Sequence, residues 1–240
     1  MKIIVSKTAA ELGRNAAGFI AGKISAAIAA KGEARIVLST GASQLTTLEP
    51  LIEKDIDWTK VTMFHLDEYV GLPETHIASF RKYLRERFIE KIPLKAAYLV
   101  DGTKEGIAGL TAELRRAPID VGLIGIGENA HIAFNDPWVA DFNDPKKVKL
   151  VPLDETCRNQ QVHDGCFATL DDVPTHAFTL TIPSLTAAKV MICTVPAATK
   201  AEAVYNTVNA EISADVPATI MRLHDNATMY CDPDSGAKLL

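Results

Sequence analysis

Short apolar runs of strand length alternate with helical stripes along most of the chain, and this alternation restricts the fold more than any other feature. Residues 9–30 place Leu12, Ala16, Phe19, Ile20, Ile24, Ala27 and Ile28 at helical spacing, and Lys31-Gly32 stops the stripe. Residues 34–39 read as a strand, 40–43 as a turn and 44–54 as a helix. A second strand is expected at 61–66, ending in Asp67-Glu68-Tyr69, before a helix at 77–88 with Phe80, Tyr83, Leu84 and Phe88 on one side. Further strands are expected at 121–124, 177–181, 190–195 and 228–231, with a helix at 199–208. Strands and helices in this order predict an α/β fold: a Rossmann-like, doubly wound, mostly parallel sheet with helices on both faces. Residues 136–174 are polar and irregular in pattern and predict a flap or excursion. No repeat, low-complexity tract or linker interrupts residues 1–240, so a single domain is expected.

Composition excludes several classes of function. Apolar residues make up 48% of the chain, enough for a substantial core. The formal net charge of −5 supplies no global basic field, which argues against nucleic acid as a partner. An anionic small substrate stays open, because a few local cations in a cleft suffice for it. The cysteines Cys157, Cys166, Cys193 and Cys231 form no CxxC pair and no zinc-like spacing with histidine, so reduced thiols are expected and metal is not. The apolar start at residues 1–5 is too short for a signal peptide, and no stretch has membrane-span length. A soluble, cytoplasmic protein without a membrane partner is the expectation.

Three strand ends concentrate functional groups. Leu38-Ser39-Thr40-Gly41-Ala42-Ser43 precedes a helix, where free N–H groups, hydroxyls and a flexible glycine suit an anion such as phosphate. The same residues also suit an ordinary capped turn. Asp67 and Glu68 end an apolar strand, where a partly desolvated carboxylate becomes a competent base. The alternative has Asp67 capping the next turn and Glu68 solvated. The third is Gly125-Ile126-Gly127-Glu128-Asn129-Ala130-His131-Ile132-Ala133-Phe134-Asn135-Asp136-Pro137, directly after a buried strand. A lone histidine is commonly a core group, but His131 has Glu128, Asn129 and Asp136 close by to set its tautomer and charge. Loops at the carboxyl ends of parallel strands are also where open α/β folds place their chemistry. Lys200, at a helix start, is electrostatically unfavourable there unless an anion binds; a solvated surface lysine is the other reading. His224 is a weaker candidate, and His163 and His176 read as surface groups.

These motifs in this order resemble the glucosamine-6-phosphate deaminase/isomerase family, related in fold to the 6-phosphogluconolactonases. The resemblance rests on the Ser-Thr-Gly turn, on Phe64-His65-Leu66-Asp67-Glu68-Tyr69-Val70-Gly71, on the loop at 125–137, on Lys200-Ala201-Glu202-Ala203-Val204, and on Pro217-Ala218 with Leu223-His224. Its His131-Ile132-Ala133-Phe134-Asn135 segment looks like a deaminase and unlike a lactonase. The resemblance implies that Asp67 moves a proton between C2 and C1 of an opened sugar and that His131 opens the ring. Asp136 stands where the family has a carboxylate, usually Glu, that orients this histidine. Ser39, Thr40, Gly41, Ala42, Ser43 and Lys200 would hold a 6-phosphate, with Arg158 the nearest match to a family arginine. No metal or organic cofactor is implied; the partner is a small phosphorylated amino sugar, and a homo-oligomer is allowed. Three positions depart from the family pattern: Asn129 replaces a usual Asp, Ala130 a usual Gly, and Asp136 is one methylene shorter than Glu. An amide at 129 cannot accept a proton, though it can orient His131. Another amino-sugar phosphate, a lactonase, or a catalytically silent sugar-phosphate binder are the competing readings.

Overall fold

The computed structural model describes residues 1–239. Its elements run β1 (Lys2–Val5), α1 (Ala9–Lys31), β2 (Ala34–Leu38), α2 (Ala42–Ile52), β3 (Val61–His65), β4 (Asp67–Tyr69), α3 (Phe80–Arg87), β5 (Ala96–Tyr98), α4 (Lys104–Arg116) and β6 (Val121–Ile124). They continue with β7 (Val148–Pro152), α5 (Glu155–His163), β8 (His176–Leu180), α6 (Ile182–Thr186), β9 (Val190–Val195), α7 (Ala201–Asn209) and β10 (Ala227–Cys231).

Seven strands form one sheet in the order β1-β10-β9-β6-β2-β3-β5, and every pairing in it is parallel. Successive side chains of a strand point to opposite faces, and both faces here are apolar. Ile36, Leu38, Met63 and Leu123 pack on one face against α1, α2 and α3. Val37, Phe64, Ile124 and Met191 pack on the other against α4, α6 and α7. Each fully buried side chain of this size contributes about 1.5–3 kcal/mol of transfer free energy. This is the doubly wound sheet that the alternation predicts.

Two expectations need correction. The strand expected at 177–181 does not join the main sheet: β8 lies antiparallel between β4 and β7 in a separate three-stranded sheet. The stretch 136–174 is not irregular throughout, since it carries β7 and α5. Its polarity follows from a shallow location. β7 is an edge strand with Leu150 exposed, and α5 buries only Cys157 and Gln161, so neither shows a long apolar pattern.

The chain winds from β2 through β3 to β5 toward one edge and from β6 through β9 to β10 toward the other. The direction reverses between β2 and β6. Open α/β sheets leave a crevice at the carboxyl ends of the strands at such a point.

Candidate active site

A pocket of about 410 Å³ occupies that crevice. Its walls are the segments that follow β2, β3, β6 and β9, four adjacent strands of the sheet, closed on the outer side by residues of α5 and the turn after it.

One end of the pocket is built for an anion. Gly41 adopts φ 104°, a conformation that a residue with a Cβ rarely takes, and turns the chain from β2 into α2. α2 has no side-chain cap; the Gln44 N–H turns back to the Gly41 carbonyl at 3.0 Å, while the N–H groups of Ala42 and Ser43, both at the pocket wall, find no acceptor among the described residues. The loop is anchored from two sides: the Tyr83 hydroxyl donates to the Gly41 carbonyl at 2.9 Å, and the Thr194 hydroxyl of β9 donates to Gln44 Oε1 at 2.8 Å. Ser39 Oγ is buried without a hydrogen-bond partner. Lys200 enters from the opposite side and is only 9% exposed, so the reading of a solvated lysine fails. Among the described residues no carboxylate lies within 4.0 Å of its ammonium, and burial lowers its pKa although the charges of Glu128 and Asp164 work against this. A buried cation beside free amides and an orphan hydroxyl is a strong anion seat.

The other end holds two titratable groups. His131 Nδ1 lies 2.7 Å from Asn129 Oδ1 and 2.9 Å from Asp136 Oδ1, while Asn129 Nδ2 donates to Asp136 Oδ1 at 3.0 Å. Both oxygens facing Nδ1 are acceptors, so Nδ1 carries the proton and Nε2 is left for the pocket. The buried Asp136 carboxyl would be raised by desolvation, but the hydrogen bond and charge of His131 and the Asn129 amide hold it below its ordinary value. The imidazole lies against Gly127, where a Cβ would collide with the ring. The loop is strained: Ala130 and Ala133 have φ of 61° and 50°. The usual glycine that the family resemblance implies at position 130 fits this left-handed backbone.

Asp67 begins β4 just past the end of β3 and lines the same pocket. Burial, together with the nearby charges of Glu68 and Asp136, raises its pKa to about 8 despite a backbone hydrogen bond from Phe134. Glu68 points the other way and is fully buried. Its carboxylate accepts from the Ser79 hydroxyl and the Arg81 N–H, each at 2.9 Å, and pairs with Arg81 Nε at 3.2 Å. The sequence reading that had Asp67 as a cap and Glu68 in solvent is therefore wrong on both counts: Glu68 caps α3 and Asp67 faces the cavity.

Ser39, Thr40, Gly41, Ala42, Ser43, Asp67, His131 and Lys200 all line the pocket, and Asn129 and Asp136 stand behind His131. Arg158 does not belong to the site. Its guanidinium donates to the carbonyls of Leu170 and Val173 at 2.6 and 3.1 Å and ties α5 to the following turn. His224 is likewise structural, hydrogen-bonded through Nε2 to the Ala188 carbonyl at 2.7 Å. His163 and His176 are exposed as expected. The sequence reading missed the wall given by Gln160, Gln161 and Asp164. Its only signal was a polar run with helical capping, Asp154 accepting from the Cys157 N–H. His131, Asp136 and Cys157 place ligating atoms within 4.8 Å of one another, the composition of a metal site. In this structure His131 and Asp136 are joined to each other by a direct hydrogen bond at 2.9 Å, and burial raises the pKa of the neighbouring Cys157 thiol.

Fold and site together define a doubly wound α/β protein whose strand-end pocket joins an anion seat to an acid and a histidine. Residues 7–230 match the family described as glucosamine-6-phosphate isomerases/6-phosphogluconolactonase, and the chain belongs to this family. The glucosamine-6-phosphate deaminase of Lactobacillus delbrueckii subsp. bulgaricus is 30% identical over 244 aligned residues, covering all of both chains. That of Bacillus cereus is 33% identical, covering 98% of this chain and 88% of its own length. A monomeric glucosamine-6-phosphate deaminase of known structure superposes with a TM-score of 0.90 at 27% identity, over 99% of each chain. A 6-phosphogluconolactonase from Shewanella baltica superposes at 0.79 with 16% identity over 97% of each chain, a likeness of fold alone.

Proposed function

We propose that this protein deaminates and isomerises glucosamine 6-phosphate to fructose 6-phosphate and ammonia. The observation that carries the proposal is one pocket holding Asp67 and His131 at one end and the buried, unpaired Lys200 at the other. Full-length relatives named as glucosamine-6-phosphate deaminases support the same reading.

The phosphate sits on the α2 N-terminus and Lys200, which fixes the reacting carbons at the far end. Ring opening transfers a proton from the anomeric hydroxyl to the ring oxygen. His131 relays it at Nε2, and Asp136 stabilises the transient imidazolium. Asp67, once ionised, removes the proton from C2 and returns it to C1. The enolamine between these steps becomes an imine at C2, and water hydrolyses it to the ketose and ammonia. His131 thus serves the ring opening and Asp67 the C2-to-C1 transfer. Asn129 acts without titrating, by holding the His131 ring and the Asp136 carboxylate to each other.

The test is to supply glucosamine 6-phosphate and follow both products. Ammonia and fructose 6-phosphate appearing in equal amounts is the expected result; binding without either product would replace the enzyme with a sugar-phosphate binder. One observation favours a second reading, the same chemistry on another amino-sugar phosphate: Arg158, the nearest match to a family phosphate arginine, is turned away to backbone carbonyls, and its helix presents glutamines to the pocket. The solved deaminase relative is monomeric. We carry the same state over to this chain in place of a homo-oligomer, and sedimentation tests it. No helix among the described residues is long and apolar enough to cross a membrane.

A further inference from the structure

Gln161 is buried to all but 8%, lines the pocket, and makes no side-chain hydrogen bond with any described residue. Its neighbour differs. Gln160 Oε1 accepts the Glu128 N–H at 3.2 Å, so that amide is already employed in the scaffold. The Gln161 amide atoms are not among the fully enclosed orphan polar atoms of the fold, so they open into the pocket, where a ligand group can take the place of water. In Gln161 both a donor and an acceptor are held ready at the cavity wall.

The position of Gln161 along α5 says which part of a ligand it meets. Cys157 and Gln161 are four residues apart, so they share one helix face; Asp164, whose αR backbone continues the turn, follows three residues on. Cys157 lies beside His131 and Asp136. Asp164 lies near enough to Lys200 for its charge to act there. With a rise of about 1.5 Å per residue, Gln161 sits about 6 Å along the axis from the first and about 4.5 Å from the second. It therefore stands between the proton-transfer end and the anion end. The hydroxyls of a hexose phosphate between C2 and C6 occupy this interval.

We propose that Gln161 is a specificity-determining residue that hydrogen-bonds a mid-chain hydroxyl of the sugar and reads its configuration, C4 above all. The proposal rests on the amino-sugar phosphate reading above. A primary amide suits this task because one hydroxyl both donates to Oε1 and accepts from Nε2. An epimer that moves the hydroxyl away leaves both atoms unsatisfied, and a site built this way discriminates by much more than lost contact area.

The experiment compares wild type, Gln161→Ala and the similarly sized Gln161→Met on glucosamine 6-phosphate and its C4 epimer, galactosamine 6-phosphate. Inorganic phosphate serves as a competitive probe of the anion seat. Wild type is expected to prefer one epimer. Both variants are expected to lose about tenfold or more in kcat/KM on that epimer, with the other epimer and the phosphate inhibition constant changed by less than about threefold. Equal losses on both epimers, no loss on either, or a weakened phosphate inhibition would each overturn the proposal, the last by making Gln161 a phosphate ligand. Gln161→Met keeps the side-chain volume, so a folding defect confined to Gln161→Ala does not obscure the result. If wild type turns over neither sugar, the deaminase reading fails by itself. Calorimetric affinities of the two phosphosugars for wild type and Gln161→Met then still decide whether the amide discriminates between them.

Discussion

Burial acts on Asp67 twice, once on its proton and once on the stability of the fold. With a pKa near 8, the carboxyl holds its proton in the empty pocket at neutral pH, and kcat/KM is expected to climb with pH and level off near that value. A profile already flat from pH 6 upward would remove Asp67 from the role of base. The folded pKa lies above the unfolded one of about 4, so the native state binds this proton more tightly. The resulting stability is fully present below about pH 4 and is lost as pH rises toward 8. Asp67→Asn is therefore expected to raise the melting temperature at pH 8 but not at pH 4. The gain should correspond to at least about 1.4 kcal/mol, the equivalent of one pKa unit. The same variant is expected to lose turnover by about a hundredfold or more while still binding the phosphosugar. Gly127→Ala addresses His131 without touching it. The new methyl displaces the imidazole from its place against the loop, and kcat is expected to fall about a hundredfold with phosphate inhibition unchanged. An unaltered kcat would show that the ring does not need this seat.

At the scale of single elements, the short helix α3 depends on Glu68. The carboxylate accepts from the N-terminal N–H groups of the helix and pairs with Arg81, so Glu68→Ala orphans several buried donors at once. A loss of about 3 kcal/mol in urea unfolding is expected; a loss below about 1 kcal/mol would mean that water satisfies the helix end instead. Legibility of the sequence follows burial in the same way. β2, β3, β6 and β9 are deeply buried and could be read from their apolar runs, and the loops that follow them announced themselves by glycine, hydroxyl and acid content. β5 has only three residues, and α5 presents one cysteine and one glutamine to the interior, so neither carries a hydrophobic period. Glu68 was illegible for another reason. Whether an acid at a strand end faces a cavity or a helix terminus depends on where α3 returns in space. Arg158 illustrates the same limit, since a helix set by its caps rather than by an apolar stripe does not reveal which face turns inward.

Across the whole molecule, the pocket draws its walls from both halves of the winding, residues 39–80 from one side of the reversal and 125–200 from the other. Any ligand that fills it ties the halves together. A phosphosugar at about a hundred times its Kd is expected to stabilise the fold by about 2.7 kcal/mol, with hydrogen exchange slowed after both β2 and β9. Lys200→Met is expected to abolish that stabilisation, yet to make the empty protein more stable by about 1 kcal/mol, because it removes a buried charge without a partner. A variant less stable when empty would reveal a partner for this lysine inside the fold. The wall carried by α5 stands apart in one further respect. The anion seat and the proton-handling groups are scattered from residue 39 to residue 200 and meet only after folding, whereas α5 and its flanking turn form one unbroken stretch of chain after Asp136. A single recombination event is enough to exchange such a stretch, so lineages built on this scaffold have a short genetic route to a new substrate that leaves the inherited chemistry in place.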